Sequence, residues 1–189
     1  MRTPKIYALY KLIDWLNIKY VDKCIPLKPL NNSPINSNAW LSGFIDADGH
    51  FSVRTTNTTK YSRVECKFEL SQRQIDHNNR SNLNIMEIIA NLLLTSVKSV
   101  RNNRPKPEYR VRTTSLNGNL ALENYLNVFP LFGSKYLDYT DWLKVLDLFK
   151  SGMSNHKDTI EKVRPIKSRM NDNRTIFTWN HLNKFYNLD

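Results

Sequence analysis

Apolar positions in this chain follow two rhythms, one helical and one strand-like, and the alternation between them lays out the elements. Ile6, Leu9, Leu12, Ile13 and Leu16 recur at helical spacing just after Pro4, which predicts a helix over residues 5–18. From Val21 to Asn38 the pattern dissolves into prolines and the polar run NNSPINSN, the composition of a linker. In Trp40 to Val53, WLSGFIDADGHFSV, the residues Trp40, Leu41, Phe44 and Ile45 form one apolar stripe on a short helix, with Gly49 in the C′ position that ends it. Phe51 and Val53 then alternate with polar residues, NTTK turns, and Val64, Cys66, Phe68 and Leu70 alternate again, which predicts a hairpin. LNIMEIIANLLL follows, capped by Ser81 or Asn82 and apolar nearly all round, so it predicts a buried helix.

A second hairpin, SVKSVRNN and EYRVRTTSL, turns through Pro105 and Pro107, and residues 118–128 predict a helix that packs back on the sheet. Residues 135–150, KYLDYTDWLKVLDLFK, predict a strongly amphipathic helix ended by Gly152, and the tail adds a basic segment, KVRPIKSR, and a short helix in TWNHLNKFYN. Helix–hairpin–helix–hairpin–helix is an α+β order, with helices on one face of an antiparallel sheet and the other face open. The divisions that follow are an N-terminal helix (1–20), a linker (21–38), a central domain (39–152) and a basic C-terminal extension (153–189).

Charge narrows the partner. A formal net charge of +11 with basic residues spread along the whole chain favours a polyanion, nucleic acid before membrane. No apolar run approaches the roughly 20 residues of a membrane span, and no secretory signal is visible. Cys24 and Cys66 lack the spacing of a zinc site or a disulfide framework. Abundant Asn, Lys, Ile and Tyr against 5 glycines suggests an AT-rich gene, which fits an organellar genome and a mitochondrial matrix location.

Three surfaces and one helix end carry candidate chemistry. The polar face of the first hairpin presents Arg54, Thr56, Arg63, Glu65, Lys67 and Glu69; it is either a solvated sheet face or a ribbon for the DNA major groove. Lys98, Arg101, Arg104, Lys106, Arg110 and Arg112 make the second hairpin the most basic stretch, suited to phosphate contacts. Lys162, Arg164, Lys167 and Arg169 in the tail suit contact with a DNA or RNA backbone, while His156 and His181 have no partners at ligand spacing and read as surface residues. Asp46 and Asp48 stand at a helix C-terminus, whose partial negative charge repels them. A local rule broken at one spot marks either a functional site or a polar helix-end turn.

The nine residues LSGFIDADG resemble the motif that names the LAGLIDADG homing endonucleases and group I intron maturases, departing at Ser42 and Phe44. The resemblance covers roughly residues 40–150 and implies an αββαββα fold whose four-stranded antiparallel sheet forms a saddle over DNA. It implies that the motif helix packs against a second copy of itself through Leu41, Ser42, Gly43, Ile45 and Asp46. Asp48, with the Gly49 backbone carbonyl, would then bind a divalent metal, Mg²⁺ by its small demand for protein carboxylates. Asp46 would have a structural or capping role. By the same resemblance Gln72 orients water near the metal, Lys135 stands beside the scissile phosphate, and Arg73 is a weaker candidate for a phosphate contact. Residues 2–17 are similar to the stretch that closes the first half of two-motif members, so the chain reads as a second half, or as a subunit of a homodimer. Two activities compete: metal-dependent cleavage of double-stranded DNA at a specific site, and splicing assistance to group I intron RNA without cleavage. A third reading is a non-catalytic nucleic-acid-binding subunit of an RNA–protein assembly. Retention of Asp48, Gln72 and Lys135 favours the nuclease; a single motif argues against a complete one unless the protein dimerises.

Overall fold

The computed structural model describes residues 2–22, 24–58, 62–153 and 157–186. His156 and the tip of the first hairpin, residues 59–61, lie outside the described residues. The elements, in chain order, are α1 (Ile6–Lys19), α2 (Trp40–Asp48), β1 (Gly49–Asn57), β2 (Ser62–Arg73), α3 (Leu83–Leu92), β3 (Val97–Val100), β4 (Glu108–Thr113), α4 (Leu116–Val128), α5 (Lys135–Lys150) and α6 (Lys157–Lys167). The four strands form one antiparallel sheet in the order β1-β2-β4-β3. This is the α+β arrangement that the apolar rhythm predicts. No described helix is long and apolar enough to cross a membrane.

The core forms because period-two alternation on the strands meets helical stripes on one side of the sheet. Phe51, Val53, Val64, Cys66, Phe68, Leu70 and Val111 point to that side and are buried with Met86, Ile89, Leu122, Leu126, Trp142 and Leu146. Trp142 sits at the centre, 5.5 Å from the Phe51 ring, and its indole N–H donates to the Lys67 carbonyl at 3.0 Å, which satisfies its one polar atom. Helix α3 departs from the all-round burial that its composition suggests. Ile85, Met86, Ile89 and Ala90 face the core, whereas Ile88 is exposed, because the helix covers only the β3–β4 side of the sheet. Its N-terminus also uses both predicted caps differently: Asn82 occupies the cap position, but the Ser81 hydroxyl accepts the Leu83 amide at 3.1 Å.

At the other end, α1 folds back on its own linker. Ile6 and Ile13 are buried, the Asn17 side chain bonds both the amide and the carbonyl of Ile25 (2.8 and 3.0 Å), and Tyr10 donates to the Lys28 carbonyl. Arg2 reaches the linker carbonyl of Pro34 at 3.2 Å and lies over the Trp40 ring, so the linker is tied down where the motif helix starts. Leu12, Trp15, Ile18 and Val21 remain exposed.

The segment after Gly152 is part of this packing and not an appended basic tail. Gly152 adopts φ +74, the left-handed conformation that lets the chain leave α5. Helix α6 then lies against β1 and β2 and adds Ile160 and Val163 to the core, with Met170 after it. Beyond it, Arg174 bonds both Asp138 and Asp141 on α5 at 2.8 Å, and Arg169 adds a second cation on Asp141 at 2.8 Å. The Asn171 amide donates to Asp138 (2.9 Å), and its side chain caps the Phe51 carbonyl of β1 (3.0 Å). Arg169 is therefore committed to an internal ion pair. Lys162, Arg164 and Lys167 sit on the helical side of the sheet, away from its open face, which removes all four from the surface that the hairpins present.

Burial alone would raise the Asp141 carboxyl, but hydrogen bonds from Arg169, Lys144 and Arg174 outweigh it and hold the pKa at about 2. Because the unfolded chain regains the ordinary value of 3.8, it binds more protons between those limits. The stabilisation is thus present above pH 3.8 and lost as pH falls through about 2. Urea denaturation is expected to show this acid loss in the wild type and not in Asp141→Asn, which also loses about 1–3 kcal/mol at neutral pH by leaving the buried Arg174 with one carboxylate in place of two.

Candidate metal and nucleic-acid site

The site is built where α2 runs into the sheet. Register explains it: Gly49, the first residue of β1, pairs with Leu70 of β2, so the end of α2 lies beside the end of β2. Gln72 continues the inward stripe Val64–Cys66–Phe68–Leu70 by one more period-two step. Past the edge of the core, that step aims it at the helix end. Its side-chain amide donates to Asp48 Oδ2 at 2.8 Å. Asp48 itself is exposed and is the last helical residue.

Gly49 is needed here for a reason other than the one its position suggests. Its φ is −75 and ψ 155, extended backbone with no left-handed turn, so the chain passes directly from helix into strand. A side chain would collide: an added Cβ would lie 2.8 Å from the Ile45 carbonyl oxygen and 2.9 Å from the Phe68 ring. The requirement is close packing of helix against strand.

Asp46 serves the opposite purpose from Asp48. Its Oδ2 accepts the backbone amides of Phe132 (2.8 Å) and Gly133 (3.0 Å), from the connection between α4 and α5. Lys135, the first residue of α5, donates its ammonium to the Ile45 carbonyl at 3.0 Å. Burial lowers the Lys135 pKa, against the pull of Asp46, Asp48 and Asp138, which raises it. The sequence-predicted trio of Asp48, Gln72 and Lys135 therefore meets at one corner, with Lys135 bound to the helix end that carries the two aspartates.

The helix–helix surface needs correction. Leu41, Ser42 and Ile45 are each 3% exposed or less and belong to this chain's own core. The Ser42 hydroxyl donates to the Phe129 carbonyl, and its amide bonds the Tyr125 hydroxyl (3.2 Å), fixing α2 to α4. Asp46 is occupied as described. Of the predicted set only Gly43 lies on the open side of α2, with no atom within 4 Å of an added Cβ. It is joined there by Trp40, Phe44 and Ala47, which line a groove of about 480 Å³ that also reaches Arg2, Asp48 and Gln72. Of the predicted stripe only Leu41 and Ile45 pack into the chain's own core; Trp40 and Phe44 lie with the small residues Gly43 and Ala47 along the groove.

On the open face of the sheet the registers align the predicted polar residues. Arg54 faces Glu65, Thr56 faces Arg63, and Lys98 faces Arg110. Acids interleave with the cations: Glu65 pairs with Lys67, Glu69 with Arg112 (2.8 Å), and Glu108 with Arg101 (2.7 Å). Arg110 Nε also donates to Ser71 at 3.1 Å. Arg73 lies exposed at the end of β2, and Arg104 and Lys106 in the exposed β3–β4 connection. Such a face offers both donors and acceptors at fixed positions, the mixture that base edges require, with the connection supplying cations for phosphates.

Residues that sequence reasoning left out surround the same corner. His181 is buried, not a surface residue: its ring stacks on Tyr136 at 4.2 Å, and Nε2 lies 3.0 Å from the Phe132 carbonyl. Asp138 and Asp141 were legible as acids spaced i, i+3 among apolar residues of α5, a placement that demands a cationic partner. For His181 the sequence carries no comparable signal.

With the geometry in hand, likeness to known proteins becomes informative. The sequence model of the LAGLIDADG endonuclease family matches residues 41–146, more than half of the chain, and the chain belongs to that family. It is 30% identical to the intron-encoded DNA endonuclease aI3 of Saccharomyces cerevisiae over 98% of its own length, and 30% identical to the probable intron-encoded endonuclease 4 of Neurospora crassa over 83%. It spans 52% of the first and 28% of the second, about half or less of these relatives' lengths. Among solved structures, the meganuclease I-SmaMI bound to uncleavable DNA aligns with a TM-score of 0.64 at 20% identity, over 85% of this chain and 53% of that one. The homing endonuclease I-TnaI aligns with a TM-score of 0.58 at 16% identity, over 78% of this chain and 94% of that one. At these identities the structural likeness speaks to fold alone.

The two motif aspartates separate by measurement. Asp46→Ala leaves two backbone donors without their acceptor and is expected to destabilise by about 1–3 kcal/mol. Asp48→Asn, at an exposed position, is expected to stay within about 0.5 kcal/mol of wild type. Parallel urea unfolding curves check both.

Proposed function

We propose that this chain is one half of a metal-dependent, intron-encoded DNA endonuclease, with its catalytic corner at Asp48, Gln72 and Lys135. The observation that carries the reading is the contrast between the two motif aspartates. Asp46 is buried at its free oxygen and accepts two backbone amides at the other, whereas Asp48 is exposed, oriented by Gln72 and left at the mouth of a groove. The relatives named as intron-encoded DNA endonucleases, and the neighbours solved on DNA, support the same reading.

The residues present fit a hard divalent cation. Mg²⁺ keeps several waters and takes one or two protein carboxylates, and Asp48 is a single exposed carboxylate pre-oriented by an amide. Among the described residues no group of three or more His, Cys, Asp or Glu gathers to hold a metal; the groups of this half that would hold the ion are the Asp48 carboxylate and the Gly49 carbonyl beside it. When bound, the ion neutralises phosphate charge and lowers the pKa of a water. Asp48 holds the site, and Gln72 fixes its carboxylate and presents a polar group towards solvent. Lys135 places a cation in the corner, suited to charge building on the phosphate.

The other half packs on the open side of α2. Gly43 and Ala47 let a second helix approach closely, and Trp40 and Phe44, stacked at 5.0 Å, frame it. That partner helix brings a second Asp48-like carboxylate, from a preceding segment of the same protein or from another copy. The sheet face from Arg54 to Arg112 lies along the duplex, and the exposed Arg104 and Lys106 meet phosphates.

Cleavage tests the proposal. A pool of intron-insertion-site duplexes incubated with Mg²⁺ is expected to be cut once this chain is paired with a second half, as a dimer or joined to a preceding motif unit, and Asp48→Asn in that assembly is expected to bind the same DNA and lose cleavage by at least about 10²-fold. Binding without cleavage by the wild-type and variant assemblies alike refutes the enzyme reading, and preference for intron RNA at matched salt would replace it.

A further inference from the structure

The connection between α4 and α5 does two jobs at once: through its amides it holds Asp46, and through Lys135 it delivers a cation to the α2 end. What holds that connection comes from the far C-terminus. His181 Nε2 lies 3.0 Å from the Phe132 carbonyl, and because a carbonyl only accepts, Nε2 carries the proton in this contact. The imidazole is fixed in turn by a near-parallel stack on Tyr136, 4.2 Å between centroids and 12° between planes, and by Trp179 at 6.1 Å. Tyr136 immediately follows Lys135, and its amide bonds the Gly133 carbonyl at 3.1 Å. One side chain thus grips the connection at Phe132 and, one turn later, at Tyr136.

We propose that His181 is a positioning residue for the catalytic corner. It locks the Phe132–Gly133 peptide so that the Gly133 amide meets Asp46 and Lys135 meets the end of α2, and thereby sets where Asp48 stands. The peptide plane makes the link mechanical. The Phe132 carbonyl and the Gly133 amide belong to one planar peptide unit, so fixing the first orients the second, which donates to Asp46. A displacement of about 1 Å at such a corner is enough to cost on the order of 10²-fold in rate. The Arg174 ion pairs with Asp138 and Asp141 anchor the same segment to α5 upstream, so His181 acts from a tethered strand and not from a free end. The rate consequence rests on the nuclease reading; the positional link does not.

The test uses the full chain and three substitutions. His181→Ala removes donor and stack, His181→Phe keeps a ring for Tyr136 without a donor, and His181→Gln restores a donor. Amide hydrogen exchange at Phe132 and Gly133 reads position, while the melting temperature and duplex affinity report fold and binding. Single-turnover cleavage of the target with Mg²⁺ reads chemistry. The expected result is exchange at Phe132 and Gly133 faster by on the order of tenfold in Ala and Phe, with core amides of β2 and duplex affinity unchanged. Cleavage should slow by at least about tenfold in the same two variants, and Gln should recover both readouts. Unchanged exchange at the two amides overturns the proposal, as does a uniform rise in exchange with a lower melting temperature and no recovery by Gln, since that is the behaviour of a plain packing contact. If the wild type paired with its second half cuts no DNA, the nuclease reading falls separately. The exchange pattern then decides the positional link: local and Gln-rescued upholds it, unchanged or global refutes it.

Discussion

The structure depends on how one acidic helix end is neutralised. A C-terminal helix end disfavours a nearby carboxylate by about 0.3–1 kcal/mol, and α2 places two there. Backbone N–H bonds to a carboxylate are worth about 1.5–3 kcal/mol each. The two that Asp46 accepts from Phe132 and Gly133 therefore outweigh the repulsion, and the Lys135 ammonium on Ile45 adds opposite charge at the same end. With Asp46 Oδ2 and the Ile45 carbonyl bonded, Asp48 is left exposed with an amide to orient it. The helix end is anchored through one aspartate and open to solvent at the other.

The sheet and the helices serve this corner from opposite sides. The inward stripe of β2 fixes its depth and ends in Gln72, so the residue that orients Asp48 is positioned by the burial of Phe68 and Leu70. The open face gathers interleaved acids and bases into defined pairs. Opposite it, α5 is pinned by Arg174 and the segment around it, which ties the C-terminus to the connection bearing Lys135. The groove along Gly43 and Ala47 opens on the side of α2 away from the core.

Much of this was legible in the chain, for identifiable reasons. Strands and helices emerged because Phe51, Val64, Phe68 and their neighbours keep strict periods, and the nine-residue motif located the corner. Which side of α2 faces outward was not legible: its apolar stripe is the mark of burial, and burial in the chain's own core looks the same in sequence as burial against a partner. That Gly49 ends the helix was legible, but why it must be glycine was not, because the collision that excludes a side chain involves Phe68, distant in sequence. The tail was misread as a basic arm because Arg169 and Arg174 find their acids on α5 only after folding. Surface assignment of His181 failed for the same reason, its partners being Phe132 and Tyr136.

The central claim is that Asp48, and not Asp46, holds the metal. Its most direct test replaces Mg²⁺ with Fe²⁺ and maps where hydroxyl radicals generated at the bound ion cut the polypeptide. The account predicts scission confined to the backbone around Asp48–Gly49 and the neighbouring Gln72, lost in Asp48→Asn and suppressed by excess Mg²⁺. Scission elsewhere, or a pattern indifferent to Asp48, would contradict it.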